Sequence, residues 1–209
     1  MKKNVQNIKL SIISGFLEII FYLSFKFISY LLYPGSYSPF SNWASDLGNS
    51  NFNPKGAIYY NLGVIIGGGF MLLFFIGFKN WETHNKKLLH SFQFFGILAA
   101  ITNIMSGVHS EDFPIWHSSW SFAFFTFISI TLVISSIFLI RESPNFHTVA
   151  IIGLIIAIIN SIFIITLSFA FVQLLYIPII EWFAIYSLIF YIILLNLKLI
   201  TILKIPNSS

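Results

Sequence analysis

Residues 149–171 read VAIIGLIIAIINSIFIITLSFAF, and this stretch contains no charged side chain. A helix of about 20 mainly apolar residues is long enough to cross the hydrocarbon core of a bilayer, which is about 30 Å thick. A soluble domain could not cover so long an apolar segment while keeping a polar surface. The stretch therefore predicts a transmembrane helix, and most of the chain follows the same pattern.

The composition of all 209 residues supports a membrane protein. Hydrophobic residues make up 57% and charged residues 9%, against roughly 25% charged residues in an average soluble domain. These values exclude a cytosolic enzyme, a DNA-binding domain and a disordered tail. The net charge of +4 comes without a basic stripe of interleaved aromatic residues, so we expect no nucleic-acid partner. The chain has no cysteine, which excludes thiolate ligands and a thiolate nucleophile.

Six apolar segments predict six transmembrane helices in one bundle, because open sheets cannot satisfy their backbone groups in lipid. The predicted fold class is an all-α membrane protein with both termini cytoplasmic, forming a single integral membrane domain over residues 1–209. The longest outer loop is predicted at 34–57. The predicted spans are 9–33, 58–78, 88–108, 117–140, 149–171 and 179–203.

The basic residues predict the orientation of the bundle, because cytoplasmic loops carry an excess of Lys and Arg. Nine of the eleven Lys and Arg residues fall on the side that carries both termini. Only Lys55 falls in the loops of the other side, and Lys26 lies within the first span. We therefore expect a multi-pass protein of the cell membrane with its termini in the cytoplasm.

Two segments on the predicted outer side concentrate polar side chains. They read NWASDLG over 42–48 and HSEDFPIWH over 109–117. Ionisable residues near a membrane are costly to desolvate and are therefore often functional. The segments predict a polar ligand site at the outer face with aromatic walls, formed by Trp43, Asp46, His109, Glu111, Asp112, Trp116 and His117.

The same segments allow two further interpretations. Imidazole and carboxylate groups together suit zinc or a similar divalent ion, so His109, His117 and Asp46 are candidate metal ligands. In that case the protein would be a metal-dependent membrane lipid hydrolase, and no other cofactor is expected. In the structural interpretation the segment is a solvated loop in which Ser110 or Asp112 caps the fourth span.

Five more polar residues lie within or beside the predicted spans. Asn61, Asn103 and Asn160 could form hydrogen bonds between helices, or together with Glu18 they could line the internal path of a small transporter or channel. Lys26 lies eight residues after Glu18, about 12 Å along a helix, so we expect no direct ion pair between these two side chains. The five residues are Glu18, Asn61, Asn103, Asn160 and Glu181.

The order of motifs in residues 37–67 resembles the prokaryotic membrane family catalogued as domain-of-unknown-function family 998. The matching segments are YSPF at 37–40, SDLG at 45–48, PKGA at 54–57 and NLG at 61–63, followed by Gly67.

Later residues of the chain extend this resemblance. Phe113, Pro114 and His117 are similar to the segment of the family that opens the fourth span. Glu181 matches a glutamate at the start of the last span, where Trp182 replaces the arginine of the family pattern. The family has no established activity. Its distant similarity to FRAG/DRAM/SFK-type six-span proteins implies a polar site at the outer face and a connection to membrane lipids.

The sequence leaves four functions open. The protein could recognise a lipid headgroup or a small polar ligand, hydrolyse a membrane lipid with a metal ion, act as a small transporter or channel, or serve as a structural or assembly protein. Clustering at the outer face favours the first two, since a translocation path needs polar groups near the midplane. Membrane lipids are the expected partners, and the sequence leaves both enzymatic activity and a homo-oligomer undecided.

Overall fold

The computed structural model describes residues 5–79, 81–171 and 177–204, and this part of the chain forms long helices without strands. Each long helix contains a segment that is apolar and long enough to cross a membrane. The predicted fold class, a six-helix membrane bundle, is therefore confirmed. The helices are α1 Val5–Leu31, α2 Ala57–Ile76, α3 Lys86–Val108, α4 Pro114–Glu142, α5 His147–Phe171 and α6 Ile179–Lys204.

The helix ends follow from local residue chemistry. Pro114 occupies the first turn of α4. Backbone N–H groups in this turn have no acceptor within the helix, so the absence of an N–H in proline costs no hydrogen bond. Pro144 follows the end of α4 and begins a short turn that leads into α5. Gly35 adopts a φ of +104° shortly after α1, a conformation that residues with a side chain rarely adopt. These positions direct the chain out of one helix and into the next.

The six helices form a closed ring in chain order. Each helix packs against the next one along the chain, and α6 packs against α1. Aromatic side chains fill much of the interior, including an edge-to-face contact between Phe75 and Phe92 with ring centroids 5.3 Å apart. The outside of the ring exposes large apolar side chains, such as Ile155 and Phe190, as a lipid-facing surface requires. The ring therefore has an apolar outer surface and a partly polar interior.

The loop between α1 and α2 folds inward over one end of the ring. Its residues 44–48 form a single 3₁₀ turn, hereafter the 44–48 turn, and all five are buried. Asn53 is fully buried and holds the loop, because its Nδ2 lies 3.0 Å from the Leu47 oxygen and 2.9 Å from the Ser29 hydroxyl. Asn61 donates to the Gly48 oxygen at 2.9 Å. We call this end the outer end, after the orientation that the charges predict.

Gly68 of α2 lies in close contact with the backbone of α3. A Cβ atom at Gly68 would lie 2.7 Å from Cγ1 of Ile104 and 3.3 Å from the Ala100 oxygen, both on α3. The adjacent Gly69 has no such neighbour within 4 Å. Small residues allow close packing between membrane helices, and Gly68 acts in this way whereas Gly69 does not.

We expect Gly68→Ala to destabilise the bundle, because the added methyl group meets the α3 backbone. Overpacking of this kind costs about 1–3 kcal/mol. Gly69→Ala is the matched control and should be neutral or stabilising by up to about 1 kcal/mol, since alanine favours helices more than glycine does. Unfolding of both variants in detergent measures the difference, and equal effects would contradict the packing shown here.

Candidate functional site

A cavity of about 110 Å³ lies inside the ring of helices. Towards the outer end its wall includes Ser45, His117 and Glu181, and towards the other end it includes Phe92 and Leu195. The carboxyl and imidazole groups of the wall, those of Glu18, His117 and Glu181, lie in the middle and outer parts of the cavity, and the inner part is lined mainly by apolar side chains. Among the described helices, α5 contributes no side chain to this wall.

Glu181 fixes the 44–48 turn to the first turn of α6. Its Oε2 atom accepts the Ala44 N–H at 2.5 Å, and the Ser45 N–H also donates to this carboxylate. The indole N–H of Trp182 donates to the backbone oxygen of Asn42 at 3.0 Å. Glu181 is only 7% exposed, so these donors replace the water that the carboxylate would otherwise bind. The loop and α6 thereby close the outer end of the cavity together.

Lys26 lies at the contact between α1 and α6 and is 5% exposed. Its Nζ is 4.0 Å from the ring centroid of Trp182, 4.9 Å from that of Tyr186 and 5.5 Å from that of Tyr22. Within the described part of the chain this Nζ has no hydrogen-bond partner. The three rings therefore stabilise the ammonium through their π faces, and the charge of Glu181 attracts it electrostatically.

Asp46 and Glu111 bring two carboxyl groups from different loops into hydrogen-bonding contact. Asp46 Oδ2 also accepts the Trp43 N–H at 3.0 Å and the Asn42 amide at 3.3 Å. Two carboxyl groups bond to each other only when one of them holds a proton. Glu111 Oε2 meets no N–H or O–H donor among the described residues, as expected for the group that is itself the donor.

The electrostatic environment assigns the shared proton to Glu111. Burial, followed by the negative charge of Asp46, raises the pKa of Glu111 to about 9. Burial also raises the pKa of Asp46, and the hydrogen bonds from Asn42 and Trp43 oppose this rise. Glu111 is therefore neutral at pH 7 and donates to Asp46.

Asp112 has a separate role from its neighbour in the sequence. It accepts hydrogen bonds from the Ser50 N–H, the Ser50 hydroxyl and the Ser110 hydroxyl, each at 2.8 Å. Partial burial raises the pKa of Asp112, but these hydrogen bonds outweigh it and hold the pKa below its usual value. The ionised Asp112 joins the two outer loops, away from the cavity wall.

The two predicted site histidines have different surroundings. The Nδ1 atom of His117 lies 3.0 Å from the backbone carbonyl oxygens of both Ser106 and His109. Because carbonyl oxygens only accept, Nδ1 carries the hydrogen, and Nε2 is an acceptor in the neutral ring. His117 lines the cavity, whereas His109 Nδ1 bonds the Met105 oxygen and its ring lies 5.9 Å from that of Trp116.

The predicted aromatic walls are also divided between two environments. Trp116 is 58% exposed at the start of α4. Trp43 is partly buried at the edge of the core, with its ring 6.5 Å from that of Phe163 on α5. Neither indole is part of the described cavity wall.

The predicted metal ligands do not converge in the structure. Over residues 5–79, 81–171 and 177–204, no three His, Asp or Glu side chains are placed so that they could hold one ion. Asp46 bonds to loop amides and to Glu111, while the Nδ1 atoms of His109 and His117 face backbone oxygens. A divalent metal therefore stays a prediction from the sequence.

The five buried polar residues predicted from the sequence separate into two groups. Glu18, Asn103 and Glu181 line the cavity. Asn61 instead holds the loop through the Gly48 oxygen, and Asn160 donates to the Ile156 oxygen within α5 at 2.9 Å. Of the four candidate transporter residues, only Glu18 and Asn103 therefore line the described cavity.

Sequence reasoning missed the surroundings of Lys26 and the role of Asn53. The sequence relates Lys26 only to Glu18 on the same helix, whereas its aromatic neighbours on α6 are more than 150 residues further along the chain. A charge inside a predicted span was the available signal, because such a charge requires a partner from another helix. Asn53 had no comparable signal, since polar residues are ordinary in a loop.

These features define the class of the protein: a multi-pass membrane protein whose six helices enclose a cavity beneath an anchored loop. The chain belongs to the family described as protein of unknown function DUF998, whose sequence profile matches residues 18–198. The resemblance drawn from the motifs is thus confirmed, while the distant similarity to FRAG/DRAM/SFK-type proteins stays a prediction. Comparisons with curated proteins and with solved structures gave no match.

The raised pKa of Glu111 makes the folding stability depend on pH. The folded protein holds this proton up to about pH 9, whereas the unfolded chain releases it near pH 4.5. Because the folded state binds more protons between these values, the contribution of Glu111 to stability decreases as the pH rises through that range. Glu111→Gln cannot ionise, so its stability relative to the wild type should be higher at pH 8 than at pH 5.

Melting temperatures in detergent between pH 5 and pH 9 measure this effect. Glu82→Gln is a matched control, because Glu82 is exposed and lies in the loop between α2 and α3, at the opposite end of the bundle. If Glu111→Gln keeps the same pH dependence as the wild type, the shared proton is assigned to the wrong group.

Proposed function

We propose that the protein binds an amphiphilic membrane lipid inside the ring. The part of the cavity between its outer end and Glu18, near the middle of α1, would hold the polar group, and the inner part would hold the first carbons of the chain. The observation that carries this proposal is the uneven distribution of carboxyl and imidazole groups in the cavity wall. Glu18, His117 and Glu181 lie in its middle and outer parts, whereas the inner part is lined mainly by apolar side chains such as Phe92 and Leu195. A ligand that is polar at one end and apolar at the other matches both parts of this wall.

The size of the cavity limits how much of a lipid it holds. Its volume of about 110 Å³ is similar to that of the apolar protein cavity, about 150 Å³, that takes up benzene. The site thus fits a headgroup fragment and a short chain segment, and the rest of the lipid would lie outside. Transmembrane proteins meet such ligands from the surrounding bilayer, so no route through water is needed.

The 44–48 turn is the natural cover of this site. Ser45 lines the cavity and is itself only 8% exposed, so the turn lies between the polar part of the cavity and the outer face. Electrostatic interactions with a bound polar group are stronger where water is excluded. The remaining functions predicted from the sequence, a metal-dependent hydrolase, a transporter or channel and a structural role, stay predictions.

Filling the cavity tests the proposal. Ser121 lines the cavity on α4, whereas Ser119 on the same helix is exposed on the outside of the ring. We expect the wild-type protein, extracted in mild detergent, to retain one lipid from the membrane of the expression host. Ser121→Phe should lose at least nine-tenths of that lipid, because the ring occupies its place, and Ser119→Phe should retain it.

Native mass spectrometry of the three proteins measures the bound lipid. Size-exclusion profiles and melting temperatures establish that both variants fold, since overpacking costs about 1–3 kcal/mol. A wild-type protein without bound lipid, or a folded Ser121→Phe variant that keeps it, would overturn the proposal.

A further inference from the structure

Glu18 is a carboxyl group of the cavity with one oxygen atom that has no hydrogen-bond partner among the described residues. It lies on α1 and lines the cavity, and its Oε2 atom is sealed from solvent. Within the described residues no donor reaches that oxygen. An unpaired polar group inside a membrane protein is costly and indicates a functional role.

The second carboxylate of the cavity differs from Glu18 in this respect. Glu181 accepts backbone N–H groups from the 44–48 turn and is attracted by Lys26. Lys26 itself is directed towards the rings of Tyr22, Trp182 and Tyr186 and is not part of the described cavity wall. The part of the cavity wall that the structure describes contains no Lys or Arg side chain, so Glu18 has no ammonium or guanidinium partner there.

The imidazole group of the wall also accepts hydrogen bonds. Since His117 Nδ1 donates to backbone oxygens, its Nε2 presents a lone pair, 3.4 Å from the Ser121 hydroxyl. The two carboxyl groups and the imidazole that line the cavity, those of Glu18, Glu181 and His117, therefore all present acceptor atoms. A ligand that complements Glu18 donates a hydrogen bond to its unpaired oxygen and carries positive charge.

From this complementarity we propose that the polar group of the bound amphiphile is a protonated amine, and that Glu18 is its counter-ion. An ammonium group supplies the positive charge that the described wall, which contains no Lys or Arg, does not provide, together with N–H donors for the Glu18 oxygen. A charge-assisted hydrogen bond is about twice as strong as a neutral one. The assignment rests on the proposed function, because it names the chemical class of the ligand for the same cavity.

Three ligands that differ only in the polar group test the assignment: decylamine, decanol and decanoate. Each is titrated into the delipidated protein in detergent, and binding is followed by native mass spectrometry. We expect decylamine to bind at least tenfold more tightly than decanol, and decanoate to bind most weakly. Glu18→Gln should reduce the difference between amine and alcohol to less than threefold, whereas Glu18→Asp should keep the amine preferred.

A matched control removes a carboxylate that does not face the cavity. Glu82→Gln changes the net charge by the same amount as Glu18→Gln, so it should leave the preference for decylamine unchanged. Melting temperatures establish that each variant is folded. A preference that Glu82→Gln also removes would show general attraction to the protein surface and overturn the assignment.

The outcomes separate the two proposals. If the three ligands bind equally and Ser121→Phe abolishes all binding, the lipid site stands and the amine assignment is overturned. The same conclusion follows if the amine preference survives in folded Glu18→Gln. If none of the three ligands binds, the proposed function fails together with the assignment.

Free ethanolamine, titrated in parallel, should not bind if the amine belongs to a lipid. If it binds as tightly as decylamine, the amine class stands and the lipid source is overturned.

Discussion

The hydrogen bond from the Ala44 N–H to the Glu181 carboxylate is the contact on which the outer end of this protein depends. It joins the last helix to the loop that connects the first two, and so closes the ring over its cavity. The bond fixes the 44–48 turn, which brings Ser45 to the cavity wall and Asp46 to Glu111. A buried carboxylate is costly unless donors and opposite charge surround it, and the backbone N–H groups and Lys26 meet that requirement.

The membrane makes such polar contacts more important than they would be in water. Lipid chains are as apolar as the helix surfaces, so helices associate through close packing and hydrogen bonds rather than through the hydrophobic effect. Close packing is visible at Gly68, where α2 approaches the backbone of α3. The α1–α6 contact instead places Lys26 against Trp182 and Tyr186. Packing thus holds the helices together, while the polar contacts fix which side chains meet at the outer end.

The sequence predicted the fold because helix length and hydrophobicity are local properties, as the segment 149–171 shows. It predicted part of the site for the same reason, since Asp46 and Glu111 lie in loops that six spans place at one end. It could not predict which histidine faces the cavity, because His109 and His117 are separated by the start of α4, and their orientation depends on backbone oxygens that a sequence does not reveal. The pairing of Lys26 with α6 depends on contacts across the whole chain.

Hydrogen exchange of the turn amides tests most directly whether Glu181 holds the 44–48 turn over the cavity. The amides of residues 44 and 45 should be protected in the wild type, and Glu181→Met should raise their exchange rates at least tenfold, because an unsatisfied buried N–H costs about 1–3 kcal/mol. Glu181→Gln, which keeps an acceptor oxygen, should raise them less. Unprotected amides in the wild-type protein, or unchanged rates in a folded Glu181→Met variant, would contradict the account.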